Sequence, residues 1–230
     1  MTSVVAALCG VAGLLVGAIL TVIIERVPAR APVLRRPFPE IRASLATASG
    51  VALVVGTGAL WSAIGLRFAD SAALPVFLLL GAALVALSVI DLRHFLLPNR
   101  IVYPVTGASV VLLAVAAIAD GDADALWRAL ACGLAAFVVF SALHVLSPRA
   151  MGFGDVRLAF LLGLDLGWLG VGEVVLGLLL GFLYGAAVGL VLLATGTRSR
   201  RDHIPFGPFL AAGALTALLV GETILDWYSG

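Results

Sequence analysis

The chain has 230 residues, of which 62% are hydrophobic and 12% are charged, and its formal net charge is +1. Soluble globular domains contain about twice this share of charged residues, so the composition excludes a water-soluble fold. It predicts an all-α, polytopic membrane protein, a helical bundle surrounded by the lipid bilayer. The net charge by itself points to no class of partner, and we expect no nucleic acid among the partners.

Apolar stretches of membrane-spanning length occur eight times and predict about eight transmembrane helices. In chain order they cover residues 4–24, 43–66, 72–90, 101–119, 126–146, 156–171, 174–195 and 206–225. The sixth is the shortest, and its outer end lies near Asp165. No soluble segment separates these stretches, so we predict a single integral-membrane domain over residues 1–230.

Basic residues alternate from loop to loop and predict the orientation of the helices. The loops after the first, third, fifth and seventh predicted helices hold twelve of the 14 basic residues: Arg26, Arg30, Arg35, Arg36, Arg42, Arg93, Arg100, Arg149, Arg157, Arg198, Arg200 and Arg201. Loops rich in arginine lie on the cytoplasmic side of a membrane. This pattern therefore predicts that both the N-terminus and the C-terminus lie outside.

Small residues recur at helical spacing and predict close helix packing. Glycines four residues apart occur in three predicted helices, at Gly13 and Gly17, at Gly163 and Gly167, and at Gly177, Gly181, Gly185 and Gly189. In lipid, such stripes let two helix backbones approach closely. Cys9 and Cys132 fall within apolar stretches far from any cluster of metal ligands, so we expect small packing residues and no metal site.

Five acidic residues fall on the predicted cytoplasmic face. Glu25, Glu40 and Asp202 lie among arginines, where solvated or loosely paired charges account for them. Asp91 and Asp155 differ, because each lies where an apolar helix meets a short loop. After Asp91 the chain stays apolar through residues 95–97 until Pro98. A carboxylate at such a boundary is costly unless it is solvated, paired or protonated, which marks a functional site.

Two carboxylates brought together at the membrane boundary could form an aspartic-protease dyad. Like charges placed close together share one proton, so that one member can deprotonate a water while the other polarises a peptide carbonyl. The hypothesis requires the inner ends of the third and sixth predicted helices to meet. Gly152 and Gly154, next to Asp155, are expected to adopt backbone conformations closed to other residues and to admit a second chain.

Simpler explanations exist for each acid and for the whole chain. Asp91 could be an interfacial charge paired with Arg93, and Asp155 could satisfy backbone N–H groups at a helix N-terminus. The same carboxylates could serve a small proton- or cation-coupled membrane transporter, which is the alternative function. A packing subunit without activity would also fit the glycine stripes.

Four segments resemble the type IV prepilin peptidases, membrane aspartic peptidases that carry a GxGD motif. Residues 152–158, Gly-Phe-Gly-Asp-Val-Arg-Leu, look like that motif, with Arg157 where lysine is more usual. Asp91 followed by Leu-Pro-Asn at 97–99 resembles the second catalytic segment. Residues 204–209 look like the start of the last helix in the family. The first helix through Pro28 resembles the family's opening, with Thr21 where asparagine is common.

The resemblance implies an aspartic-type endopeptidase of the bacterial cytoplasmic membrane, with Asp91 and Asp155 as the catalytic pair and no metal. Its implied substrates are type IV prepilins or pilin-like secretion subunits, cleaved on the cytoplasmic side between a basic leader and an apolar helix. Gly152 and Gly154 would form the active-site backbone. Further residues are expected to line the active site or a substrate groove: Pro98, Asn99, Pro205, Gly207 and Pro208.

One departure from the family bears on a second activity. Many relatives carry two CxxC pairs in a longer first cytoplasmic loop, whereas residues 25–42 contain no cysteine. Many also methylate the new N-terminal amine with S-adenosyl-L-methionine. Proteolysis is expected to need no cofactor, and S-adenosyl-L-methionine is expected only if the methyltransferase activity is retained.

Overall fold

The computed structural model describes residues 1–33, 36–148, 151–195 and 205–229. Within these ranges all regular secondary structure is helical, so the prediction of an all-α fold is confirmed. The helices are α1 (Thr2–Arg26), α2 (Pro39–Leu45), α3 (Ala48–Phe68), α4 (Leu74–His94), α5 (Asn99–Asp120), α6 (Ala123–Leu146), α7 (Phe153–Gly167), α8 (Val171–Ala194) and α9 (Gly207–Ser229). Several residues named above lie outside the described ranges: Arg35, Arg149, Arg198, Arg200, Arg201, Asp202 and Ile204.

Seven of the helices found in the described residues are long and apolar enough to cross a bilayer, namely α1, α3, α4, α5, α6, α8 and α9. The chain is therefore a multi-pass membrane protein. The predicted sixth span corresponds to α7, which has 15 residues and a length of about 22 Å, short of the ~30 Å hydrocarbon core. Seven crossings would put the two termini on opposite sides of the membrane, and an eighth crossing by α7 would put them on the same side. The placement of both termini outside therefore stays a prediction.

The short α7 ends where a neighbouring helix supplies hydrogen-bond donors. The guanidinium of Arg128, in α6, donates from Nε to the Gly167 carbonyl at 3.0 Å and from Nη2 to the Trp168 carbonyl at 2.6 Å. The last carbonyl groups of a helix receive no hydrogen bond from an N–H group of the same helix. The Arg128 guanidinium therefore supplies the donors that the carbonyls at the C-terminus of α7 lack. The predicted span ran on to residue 171 because residues 168–171 are apolar or glycine.

The chain divides into two compact units. Unit 1 comprises Met1–Ile90 and Pro98–Gly121, and unit 2 comprises Asp91–Leu97 and Asp122–Gly230. Each unit draws on helices of spanning length, and α4 contributes its last four residues to unit 2. The single integral-membrane domain expected from the sequence stays a prediction.

In unit 1, α1 and α3 pack closely along the predicted glycine stripe. A Cβ added at Gly13 would lie 2.7 Å from Trp61 Cβ, and one added at Gly17 would lie 2.9 Å from Val54 Cα. Real Cβ atoms essentially never approach other heavy atoms so closely, so the packing requires glycine at both positions. This part of the packing prediction is confirmed.

The loop after α1 is organised by one arginine. Arg26 donates to both carboxylate oxygens of Glu40, at 2.7 and 3.0 Å, and to the backbone carbonyls of Pro32, Val33 and Pro37. Its guanidinium also lies 5.2 Å from the centroid of the Phe38 ring. Glu40 is therefore a structural partner that ties α2 to the end of α1, where the sequence suggested a loosely paired charge.

In unit 2, α7 packs against α6, α8 and α9 and forms the core. Leu158, Leu161, Leu162 and Leu164 are fully buried, as is Asp165. Gly163 and Gly167 face Cys132 on α6, where added Cβ atoms would lie 2.7 Å from its carbonyl oxygen and from its Cβ. Cys132 is thus a packing residue, as predicted. On α8, a Cβ added at Gly181 would lie 3.0 Å from Leu210 Cα on α9, and one added at Gly177 would lie 2.8 Å from Leu166 Cδ1 on α7.

Two glycine substitutions in unit 1 test the packing of α1 on α3. Gly17→Ala should lower the free energy of unfolding by about 1–2 kcal/mol, because the overpacking cost exceeds the gain in helix propensity. Gly56→Ala, on α3 with no atom within 4 Å of the added Cβ, should raise it by up to about 1 kcal/mol. Denaturant titration of the purified protein in detergent measures both. Effects of equal sign would contradict the close helix contact.

Candidate active site

Asp91 lies near the end of α4, and its carboxylate meets the first residue of α9. The side chain is buried, with 5% of its surface exposed, and Oδ2 accepts a hydrogen bond from the Gly207 N–H at 3.1 Å. The N–H groups in the first turn of a helix have no acceptor within the helix and carry a partial positive charge. Asp91 thus supplies an acceptor for α9, although 116 residues separate the two partners.

Asp155 is the third residue of α7 and is also buried, with 7% exposed. Its Oδ2 accepts a hydrogen bond from the Gly152 N–H at 3.1 Å. This bond is the half of a capping box in which the third helical residue reaches back to the residue before the helix. The predicted role of Asp155 at a helix N-terminus is confirmed.

Leu97 explains why glycine is needed near both acids. A Cβ added at Gly154 would lie 3.0 Å from Leu97 Cβ, and one added at Gly207 would lie 3.2 Å from Leu97 Cδ2 and 2.7 Å from Asp91 Oδ2. These glycines therefore provide space. The expectation of unusual backbone conformations is wrong for Gly152, whose φ of −72° and ψ of 150° are open to any residue. It is also wrong for Gly154, which is the second residue of α7 and has no positive φ.

Asp91 and Asp155 lie on the wall of one cavity of about 310 Å³ within unit 2. The residues that line it are Asp91, Phe95, Leu96, Leu97, Gly152, Gly154, Asp155, Arg157, Pro205 and Phe206. The end of α4 and the start of α7 thus each contribute one acid to the same cavity, and the direct contact between these helix ends stays a prediction. A cavity of this size falls in the range of small-molecule and peptide side-chain sites.

The other predicted lining residues differ in position. Pro205 lines the cavity, and Gly207 contacts Asp91. Pro208 is the second residue of α9 and does not line the cavity. Pro98 precedes α5 and Asn99 begins it, and both belong to unit 1. The predicted roles of Pro98, Asn99 and Pro208 in the site stay predictions.

The electrostatics of the cavity favour a proton on the pair of acids. Asp155 lies outside the seven helices of spanning length, and burial raises its pKa to about 6 from an ordinary 3.8. The negative charge of Asp91 is the second cause of the increase, and the backbone N–H groups oppose it. A carboxyl with such a pKa can hold a proton in mildly acidic solution and release it near neutrality.

Residues outside the predicted motifs support the segment before Asp155. The guanidinium of Arg157 lies 4.5 Å from the centroid of the Phe153 ring, and the His144 ring lies 5.5 Å from that same ring. His144 Nδ1 also lies 2.8 Å from the Met151 carbonyl oxygen. These contacts fix the turn that carries Asp155. No sequence pattern predicts this role of His144, whereas the apolar run after Asp91 did mark residues 95–97.

Comparison with known proteins gives a consistent set of similarities. A family model described as the type IV leader peptidase family matches residues 78–193. The chain is 35% identical over 152 residues to a protein of Stutzerimonas stutzeri, covering 66% of this chain and 51% of the relative. It is 30% identical over 173 residues to a protein of Bacillus subtilis, covering 75% of this chain and 66% of the relative. Both relatives are named prepilin leader peptidase/N-methyltransferase.

A further relative of that name, from Burkholderia pseudomallei, is 32% identical over 188 residues, which cover 81% of this chain and 55% of the relative. The chain spans about half the length of the curated relatives that it matches first. No solved structure matches the chain.

Replacing Asp91 tests the coupling of the two acids. Asp91→Asn removes the neighbouring negative charge, so the pKa of Asp155 should fall below about 6 while burial keeps it above 3.8. The infrared carboxyl band that disappears in Asp155→Asn reports this titration. Asp120→Asn, at the exposed end of α5, is the matched control and should leave the band's titration unchanged. An unchanged or higher pKa in Asp91→Asn would contradict the electrostatic coupling.

Proposed function

Because this chain belongs to the type IV leader peptidase family, we propose that it removes the leader peptide from type IV prepilins or pilin-like secretion subunits. Its relatives are named prepilin leader peptidase/N-methyltransferase, which supports a peptidase acting on such substrates. The observation that carries the proposal is the pair of buried carboxylates, Asp91 and Asp155, on the wall of one cavity. Prepilins would then be the partners of this protein in the membrane.

Asp91 and Asp155 act as a dyad that activates water. In the resting state one proton is shared between them, and it belongs to the pair. The ionised carboxylate takes a proton from a water molecule, while the protonated carboxyl donates a hydrogen bond to the scissile carbonyl oxygen. The attack gives a tetrahedral intermediate, and proton transfer to the leaving amine breaks the C–N bond. No covalent enzyme intermediate forms, and proteolysis needs no cofactor.

The surroundings of the dyad suit a substrate that is part apolar and part extended. Phe95, Leu96, Leu97 and Phe206 supply apolar surface beside the carboxylates. Gly152 and Gly154 line the same cavity without a side chain of their own, and the space beside Gly154 is filled by Leu97. We infer that the apolar helix of the substrate remains in the bilayer and its basic leader remains on the cytoplasmic side.

Methylation of the new N-terminus is a separate question for this chain. The relatives' names include N-methyltransferase, whereas residues 25–42 contain no cysteine. In the described part of this loop, Arg26 forms an ion pair with Glu40. We propose that S-adenosyl-L-methionine is a cofactor only if the methyltransferase activity is retained. The mass of the mature N-terminus answers this in the same assay as cleavage.

Substitution of either acid tests the proposed chemistry. Asp91→Asn and Asp155→Asn should each reduce cleavage of a co-expressed pilin precursor by about 10³-fold or more, because neither variant can form the dyad. Cleavage is read by mass spectrometry of the precursor, and thermal unfolding checks that the variants fold. Asp120→Asn should cleave normally. Normal cleavage by either active-site variant would overturn the proposal. If the native chain cleaves no precursor but carries a proton or cation flux that the two variants lose, the result would favour a transporter.

The orientation of the membrane helices determines the side of cleavage. In a background with both buried cysteines, Cys9 and Cys132, replaced by alanine, a membrane-impermeant maleimide should label Asp120→Cys in intact cells. It should label Arg36→Cys only after the membrane is made permeable, because the arginine-rich loops are predicted to be cytoplasmic. The reverse pattern would overturn both the predicted orientation and the cytoplasmic side of cleavage.

A further inference from the structure

Phe95 adopts a backbone conformation that costs energy for its residue type. It follows the last residue of α4, its φ is +54°, and its N–H donates to the Asp91 carbonyl at 2.8 Å. Glycine is the usual residue where a helix ends in the left-handed region, because it has no Cβ to clash with the backbone. A bulky aromatic residue in this region is uncommon. Stability alone therefore does not account for phenylalanine at this position.

The position of the Phe95 side chain offers a reason. Phe95 lines the same cavity as Asp91 and Asp155, and 51% of the residue's surface is exposed. Two residues later, Leu97 is fixed against Gly154 and Gly207, which anchors the segment that carries the ring. When an apolar group of a substrate covers a half-exposed aromatic ring beside the two acids, the burial of apolar surface stabilises the complex.

We propose that Phe95 is a substrate-binding residue, whose ring contacts an apolar side chain next to the scissile bond. The left-handed turn at the end of α4 changes the direction of the chain four residues after Asp91, at a residue that belongs to the wall of the cavity. The strain at this residue is thus retained for recognition, as strained backbone at functional sites often is. This inference rests on the proposed function and adds a determinant of substrate specificity to it.

Phe95→Gly removes both the backbone strain and the ring. The loss of strain should appear in the melting temperature, and the loss of the ring should appear in KM. Removing the Cβ relieves the backbone, so the melting temperature should be unchanged or up to about 4 °C higher. Removing the ring should raise KM for a pilin precursor by about tenfold and leave kcat within about twofold, because the contact is made in the bound substrate as well as in the transition state. Phe95→Tyr keeps both ring and strain, and its KM should match that of the native chain.

Arg30→Gly provides the matched control. Arg30 is the other non-glycine residue with a positive φ in the described ranges, at +55°, and it lies exposed in unit 1. Its replacement relieves comparable strain at a residue outside the cavity lining, so the melting temperature should not fall and KM should stay unchanged. A KM for Phe95→Gly equal to that of the native chain, or a melting temperature more than about 4 °C lower, would overturn the inference.

The assay also distinguishes this inference from the proposed function. If the native chain cleaves the precursor and Asp155→Asn does not, while Phe95→Gly retains the native KM, the peptidase stands and the role of Phe95 is wrong. If the native chain and Asp155→Asn give the same precursor mass as cells lacking the enzyme, the proposed function fails and the role of Phe95 fails with it.

Discussion

Two hydrogen bonds from helix N-termini to carboxylates hold the site together. Gly207, the first residue of α9, donates to Asp91, and Gly152 donates to Asp155 at the start of α7. A buried acid without such donors would lose its hydration without replacement, which costs several kcal/mol. The bond to Asp91 joins segments 116 residues apart, whereas the bond to Asp155 is local to the start of α7. In both cases the contact that solvates the acid also fixes its position. The chemistry of the cavity depends on this arrangement.

Close backbone approach is the second constraint, and it explains much of the glycine content. Leu97 occupies the space beside both Gly154 and Gly207, so a methyl group at either residue would displace the segment after Asp91. On α7, Gly163 and Gly167 allow the core helix of unit 2 to press against α6. Because interiors are close-packed, small changes here propagate to the carboxylates. Packing and catalysis therefore place related demands on the same short segments.

The described part of the first loop has a different organisation from the cysteine pairs that the family resemblance implies for many relatives. Arg26 binds Glu40 and three backbone carbonyls. A planar guanidinium with five donors can satisfy several acceptors at once, which suits a short connection between two helices. The arrangement needs only residues within unit 1, whereas both aspartates belong to unit 2.

The sequence by itself determined the all-α membrane fold, the approximate helices, the glycine stripes and the two acids at helix boundaries. These features are local, because apolar length and the spacing of small residues act within one helix or between neighbours. Only the tertiary structure decided where α7 ends, since the donors that satisfy its last carbonyls come from Arg128, 39 and 40 residues away. It also decided that Gly207 contacts Asp91 and that Phe95 takes a left-handed backbone. Such contacts depend on how distant segments pack, and no pattern of neighbouring residues encodes them.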